Sequence, residues 1–283
     1  MPHVFNHLDL IREAVRRSPF GLITDVDGVI SQTAPTPQQA EVSPLCHHYL
    51  SILGNHLALV AAISGRPAVE VKNMINIDGM VYIGNHGLER WAKGHSEFAK
   101  DAQEYSGLIK AVIKELTPLL SLEGISIQDK GITATIHYRL CPKPQSAKRA
   151  ILRALKGSSQ ARKLHIMQGR KSIDLLPPVK ANKGTATLDL IQEYNLRGGI
   201  YLGDDITDIY AFRAIRAATR NLDFHGFAIG ITSQEMPEKL AEEADFTLNG
   251  INDVERFLKR LSQTAVELNG MSYFFSRESS GTA

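Results

Sequence analysis

Two acids, Asp25 and Asp27, stand one residue apart at the end of the apolar run FGLIT. Three more, Asp204, Asp205 and Asp208, follow a second apolar run, GGIYLG. Ser64 and Arg66 close HLALVAAI, Asn85 and His86 close MVYIG, and Lys183 opens a helical stretch behind Asn182. A single acid after a strand is ordinarily a turn former or a helix cap. Polar groups at four apolar ends support a joint reading. Asp25, Asp27, Asp204 and Asp208 would make a hard, oxygen-rich, strongly anionic site. Carboxylates so gathered repel one another unless a cation neutralises them, and an all-oxygen donor set suits Mg²⁺. Lys183 and the Ser64 hydroxyl can then hold phosphate oxygens. Gly28 lets the first loop turn sharply and expose backbone N–H groups, which suit a phosphate.

Such residues meet only if strands end side by side, because ligands of open α/β sheets bind beyond the carboxyl ends of the strands. The apolar runs lack a polar face and alternate with helical segments, as in a parallel sheet covered on both sides. Helices are expected over 3–17 (Val4, Leu8, Ile11 and Val15 in register), from Ser43-Pro44, over RPAVEVKNMI and over KGTATLDLIQEY. After Gly87 the pattern changes. A long helix is expected over 97–120, then two strands turning at Lys130-Gly131, a helix ending at Gly157, and two strands turning near Gln168-Gly169. This helix-strand-strand unit, used twice, predicts an α+β module with an antiparallel sheet. The expected fold is therefore α/β: a Rossmann-like hydrolase core over 1–87 and 179–283, with an α+β cap inserted over 88–178. From 251 to 268 a closing helix is expected, and the tail after it lacks a pattern.

Composition narrows the function classes. The 283 residues suffice for a sizeable core. A net charge of +2 gives no basic field for nucleic acid. No apolar run reaches the length of a membrane helix, and the N-terminus lacks the uncharged core of a signal peptide. Two cysteines far apart, Cys46 and Cys141, fit a reducing cytosol rather than a disulfide framework, so a cytoplasmic protein is expected.

DVDGV (25–29), SGR (64–66), NKG (182–184) and GDDITD (203–208) resemble, in order, the four motifs of the haloacid dehalogenase superfamily of phosphohydrolases. The insert resembles a C2-type cap. In finer detail ISGR, GNHG, IHYR, GRKSIDLLP and GDDITD are similar to the trehalose-6-phosphate phosphatases. The resemblance implies that Asp25 attacks phosphorus to form an aspartyl-phosphate, and that Asp27 acts as acid and base while its carbonyl joins Asp25, Asp204 and Asp208 around Mg²⁺. It implies that Ser64 and Lys183 stabilise the transferring phosphoryl group. The cap would recognise the sugar: as a strand, 170, 172 and 174 share a face, which puts Arg170 and Asp174 together. Arg66, Asn85 and His86 are further substrate candidates at the core–cap junction.

The chain departs from the family pattern at Val29 (usually Thr), Asp174 (usually Glu), Leu176 (usually Arg) and Ile209 (usually Glu). The catalytic acids are unaffected, whereas the sugar-side departures leave mannosyl-3-phosphoglycerate and sucrose phosphate open beside trehalose 6-phosphate. A non-catalytic phospho-ligand binder is the remaining class, and in it Asp27 would be dispensable.

Overall fold

Six apolar segments lie parallel in one sheet, buried on both faces. The computed structural model describes residues 1–32, 34–233 and 237–278. The first part of the chain forms α1 (Leu8–Arg16), β1 (Phe20–Thr24), α2 (Pro44–Gly54), β2 (Leu59–Ile63), α3 (Ala68–Ile75), β3 (Val81–Gly84), β4 (Glu89–Ala92) and β5 (His95–Phe98). Next come α4 (Ser106–Leu116), β6 (Ser126–Asp129), β7 (Ala134–His137), α5 (Pro144–Gly157), β8 (His165–Gly169) and β9 (Ser172–Leu176). The last part forms α6 (Lys183–Glu193), β10 (Gly198–Gly203), α7 (Asp208–Asn221), β11 (His225–Thr232), α8 (Glu238–Glu243), β12 (Phe246–Asn249) and α9 (Gly250–Glu278).

The large sheet has the order β12-β11-β10-β1-β2-β3-β4-β5, parallel except for the antiparallel pairs that add β4 and β5. Side chains alternate across it: Leu22 and Leu202 face one core, Ile23 and Tyr201 the other. Residues of α1, α2, α3 and α9 cover the first face, among them Ile11, Leu50, Val71 and Phe257. Those of α6, α7 and α8 cover the second, among them Leu190, Phe212 and Leu240. The second sheet, β6-β7-β9-β8, is wholly antiparallel, and Ile109, Val112 and Leu116 of α4 pack on it with Ile151 and Leu155 of α5. Leu88, Ala102, Ile132 and Leu176 form a small apolar cluster between the two sheets' segments. Among the described residues no helix is long and apolar enough to cross a membrane.

Four local expectations are corrected. The long helix over 97–120 is broken up: Phe98 ends a strand, and α4 spans Ser106–Leu116 only. Residues 89–98 pair with the large sheet although the inserted module was expected from 88, because Lys93 and Gly94, at φ 50° and 85°, make the tight turn of a hairpin back onto β3. The turn expected near Gln168-Gly169 lies two residues later, at Arg170-Lys171, where Lys171 adopts φ 54°. The closing helix runs on to Glu278, past the expected end at 268, and residues 279–283 of the tail lie outside the described residues.

Candidate active site

β1 and β10 are neighbours at the place where the strand order reverses, and each ends in acid. Thr24 pairs with Leu202, and the Asp25 N–H donates to Leu202 O at 2.9 Å, so Asp25 and Asp204 start from the same sheet end. A crevice at such a switch point is where this architecture binds ligands. Gly28 closes the first loop at φ 82°, and a Cβ there would lie 1.7 Å from Asp204 Oδ2. Only glycine lets the two loops approach so closely. Of the loop N–H groups expected to be exposed, that of Gly28 donates instead to Ser31 O at 2.8 Å, closing the loop on itself.

Lys183 enters from α6. Asn182 caps that helix, accepting from the N–H groups of Gly184 and Thr185, while its own N–H donates to Thr185 Oγ1. The cap holds Lys183 at the first helical position, with its side chain buried. Its Nζ donates to Asp25 Oδ2 at 2.6 Å and to Asp208 Oδ1 at 2.8 Å. Asp208 has both oxygens engaged: Oδ1 accepts also from Tyr201 Oη at 2.8 Å, and Oδ2 accepts from the N–H groups of Asp204 and Asp205 at 2.9 Å each. Four donors fill the capacity of a carboxylate. Asp208 therefore shapes the loop and holds Lys183. Asp25 accepts once at each oxygen, from Lys183 and from the Val26 N–H at 2.6 Å, and Asp204 accepts from Arg170 at Oδ2, so both keep lone pairs for another partner.

Electrostatics say the same. Burial pushes the Asp25 carboxyl up to about 8, Asp208 adds to the rise, and Lys183 opposes it. Burial and the neighbouring Asp25, Asp208 and Asp205 hold Asp204 well above the usual carboxylate range, against the pull of Arg170. Burial would also raise Asp208, but Lys183, the loop N–H groups and Tyr201 outweigh it and lower it. Lys183 would be lowered by burial and is raised instead by Asp208 and Asp25. One oxygen each of Asp25, Asp204 and Asp208 lie within 4.8 Å of one another. Buried carboxylates that are costly to ionise, all with hard oxygen donors, fit a small divalent cation such as Mg²⁺.

Asp25, Lys183 and Asp204 form the floor of a cavity of about 590 Å³, with Asp27, Ser64, Arg66, His86, Lys130, Thr135, His137, Arg170 and Asp174 on its walls. Asp27 is gripped by Arg66, whose Nε and Nη2 donate to its two oxygens at 2.7 and 2.8 Å. Ser64 does not cap α3, whose N-cap is Pro67; its Oγ accepts from the Arg66 N–H at 3.2 Å and it lines the cavity. His86 stands at φ 61°, fixed by its N–H donating to Ser64 O at 2.9 Å. Both its ring nitrogens are buried without a hydrogen-bond partner, and Nε2 lies 3.8 Å from Asp174 Oδ1. Such an orphaned group is costly unless a ligand satisfies it.

Two substrate-side expectations change. Asn85 is not on the cavity wall: its amide donates to Glu89 Oε2 at 2.7 Å and accepts from Thr133 Oγ1 at 2.6 Å, tying β3 to the smaller sheet. Arg170 and Asp174 do not share a strand face, because Arg170 sits in the turn before β9. Arg170 Nη1 reaches across to Asp204 Oδ2 at 2.7 Å, while Asp174 Oδ1 accepts from Thr135 Oγ1 at 2.5 Å. Burial would raise Asp174, but His86, Lys130 and Thr135 hold it well below the usual range. Lys130 was read only as part of the β6–β7 turn and not as a site residue: its Nζ donates to Gly65 O at 2.8 Å and lies 3.9 Å from Asp174. Tyr201 was missed too, since its strand reads as uniformly apolar.

A doubly wound sheet with an inserted antiparallel module and an acidic cluster at the switch point defines a class, the haloacid dehalogenase-like hydrolases. Comparison with known proteins narrows it. The family model described as trehalose-phosphatase matches residues 23–252, and the chain belongs to that family. The trehalose-phosphate phosphatase of Mycobacterium leprae (strain TN) is 28% identical over 274 residues, covering 93% of this chain and 62% of the relative. That of Mycobacterium tuberculosis (strain H37Rv) is 27% identical over 270 residues, covering 93% and 66%. The chain thus spans less than two thirds of these relatives' length. The C-terminal domain of the Candida albicans trehalose-6-phosphate phosphatase superposes with a TM-score of 0.74 at 18% identity, covering 93% of this chain and 97% of that one, a likeness of fold.

Proposed function

We propose that the chain is a Mg²⁺-dependent phosphatase that hydrolyses trehalose 6-phosphate to trehalose and phosphate through an aspartyl-phosphate on Asp25. The observation that carries the reading is the meeting of Asp25, Lys183, Asp204 and Asp208, drawn from distant parts of the chain, around one buried position. Family membership and the names of the relatives supply the substrate class.

In this reading Asp25 attacks phosphorus in line as the bond from phosphorus to the sugar oxygen breaks. Asp27, aimed by the Arg66 fork, gives a proton to the departing oxygen. It then takes a proton from the water that attacks the aspartyl-phosphate, which releases phosphate and restores Asp25. Lys183 and Ser64 meet the charge on the phosphoryl oxygens. Mg²⁺, held by Asp25, Asp204 and the Asp27 carbonyl with Asp208 behind them, supplies positive charge that offsets the crowded carboxylates and the phosphoryl group. Lys130, Asp174 and the orphaned nitrogens of His86 face the part of the cavity left for sugar hydroxyls. The smaller-sheet unit is the cap in this arrangement, and the protein works in the cytoplasm.

The test is phosphate release by the purified chain from a panel of sugar phosphates, with Mg²⁺ and with EDTA. The expected result is Mg²⁺-dependent release with trehalose 6-phosphate far ahead in kcat/KM. Similar kcat/KM for mannosyl-3-phosphoglycerate or sucrose phosphate would remove the substrate assignment, and unchanged binding without release would make the chain a binder.

A further inference from the structure

Arg170 belongs to the smaller sheet, at the turn between β8 and β9, yet its head lies in the acidic cluster at the end of β10. Nη1 donates to Asp204 Oδ2 at 2.7 Å and Nη2 donates to the Asp204 carbonyl. A two-pronged contact of this kind is among the stronger hydrogen-bonded pairs, and here both partners are largely buried, with side chains 14% and 4% exposed. The fit is incomplete. Arg170 Nε is buried without a hydrogen-bond partner and stays 3.9 Å from Asp205 Oδ1. The other contacts across the cavity go elsewhere: Lys130 donates to the Gly65 carbonyl and Thr133 to Asn85, neither of them a cluster carboxylate.

We propose that Arg170 is a cation-sensitive catch: it clamps the inserted unit onto the core through Asp204 when the cluster lacks a divalent ion, and binding of that ion releases it. The inference rests on the Mg²⁺ site of the proposed function. Its physical basis is competition. Asp204 is the cluster acid that Lys183 does not touch, and the Arg170 guanidinium neutralises it instead. A dication on Asp204 repels Arg170 and takes over the charge it neutralised. With Arg170 loose, the inserted unit loses its anchor on the acidic cluster, so ion binding and access to the cavity are coupled in both directions.

The experiment uses the full chain and Mg²⁺ alone as probe. Mg²⁺ binding is measured by calorimetry on the wild type, Arg170→Gln and Arg170→Lys. In parallel, spin labels at Lys156→Cys on the inserted unit and Lys259→Cys on the core report their separation. The catch predicts that wild type binds Mg²⁺ about tenfold more weakly than Arg170→Gln, the loss of one charge-assisted contact. It also predicts that Mg²⁺ lengthens the label separation in wild type, while Arg170→Gln is already long in EDTA. Arg170→Lys keeps the charge but not the fork, and should likewise be long in EDTA, which separates clamping from simple repulsion. Equal Mg²⁺ affinity in wild type and Arg170→Gln overturns the catch, as does a wild-type separation that ignores Mg²⁺. Wild type that binds no Mg²⁺ at all overturns the proposed function and the catch with it.

Discussion

At the scale of the residue, the site is a problem of crowded negative charge. Asp25 is buried beside Asp208, and burial pushes its carboxyl up to about 8 although Lys183 opposes the rise. Asp25→Asn removes the proposed nucleophile and one repelling charge together. Turnover should fall by at least about a thousandfold, while the melting temperature in EDTA stays level or rises; wild-type turnover in this variant would remove Asp25 from the chemistry. Gly28 poses a purely steric test. A methyl group there meets Asp204 Oδ2 at 1.7 Å, in a left-handed backbone at φ 82°. Gly28→Ala should cost about 1–3 kcal/mol of stability and weaken Mg²⁺ binding, as read by urea unfolding and calorimetry. Unaltered Mg²⁺ affinity would show that Asp204 is not held where the cation sits.

At the scale of the element, the sequence was most legible where period and burial agree. β1, β2, β3 and β10 read directly as strands because both faces are apolar, and the acids at their ends fell where a switch point gathers them. It was least legible where a polar, alternating segment had to be placed by tertiary pairing. The β4–β5 hairpin carries Glu89, Arg90 and Glu97 and joins the sheet edge through its Lys93-Gly94 turn. Arg170 was misplaced for a related reason: a shift of two residues in one turn took it off the strand and into the cluster. Long side chains such as Lys130 and Arg170 reach across the cavity, and their spacing in the chain does not encode that reach. β7 offers a further test. Burial, then Lys130, Arg66 and Arg139, lower His137 to about 4, against the pull of Asp174, from an ordinary value near 6.5. The folded protein keeps the ring neutral, and the unfolded chain takes up a proton below about pH 6.5. This contribution is complete above that pH and is lost as pH falls through 4, up to about 3 kcal/mol. Unfolding measured from pH 7 to 4 should fall less steeply in His137→Gln; identical slopes would contradict the burial of a neutral ring.

At the scale of the whole molecule, the proposed Mg²⁺ site couples ion binding to the fold through charge. A carboxyl raised to about 8 stabilises the fold fully below its unfolded value near 3.8, and that contribution is lost as pH rises through 8. The metal-free protein should therefore weaken across this range, and Mg²⁺ should restore it. The increase in melting temperature on adding Mg²⁺ is expected to be larger at pH 8 than at pH 5. An equal increase at both would mean that the ion does not act on the Asp25 cluster. The two sheets share in the same arrangement, since the floor of the cavity comes from the large one and Lys130, Thr135, His137 and Asp174 on its wall from the small one.

The most direct measurement is to quench the purified protein in acid after adding trehalose 6-phosphate and Mg²⁺, reduce it with borohydride, and map the modified residue. An aspartyl-phosphate is reduced to homoserine, and homoserine at residue 25 alone, absent when Asp25→Asn is used, is the expected result. Homoserine at another acid, or steady release of phosphate with no modified residue at 25, would contradict it.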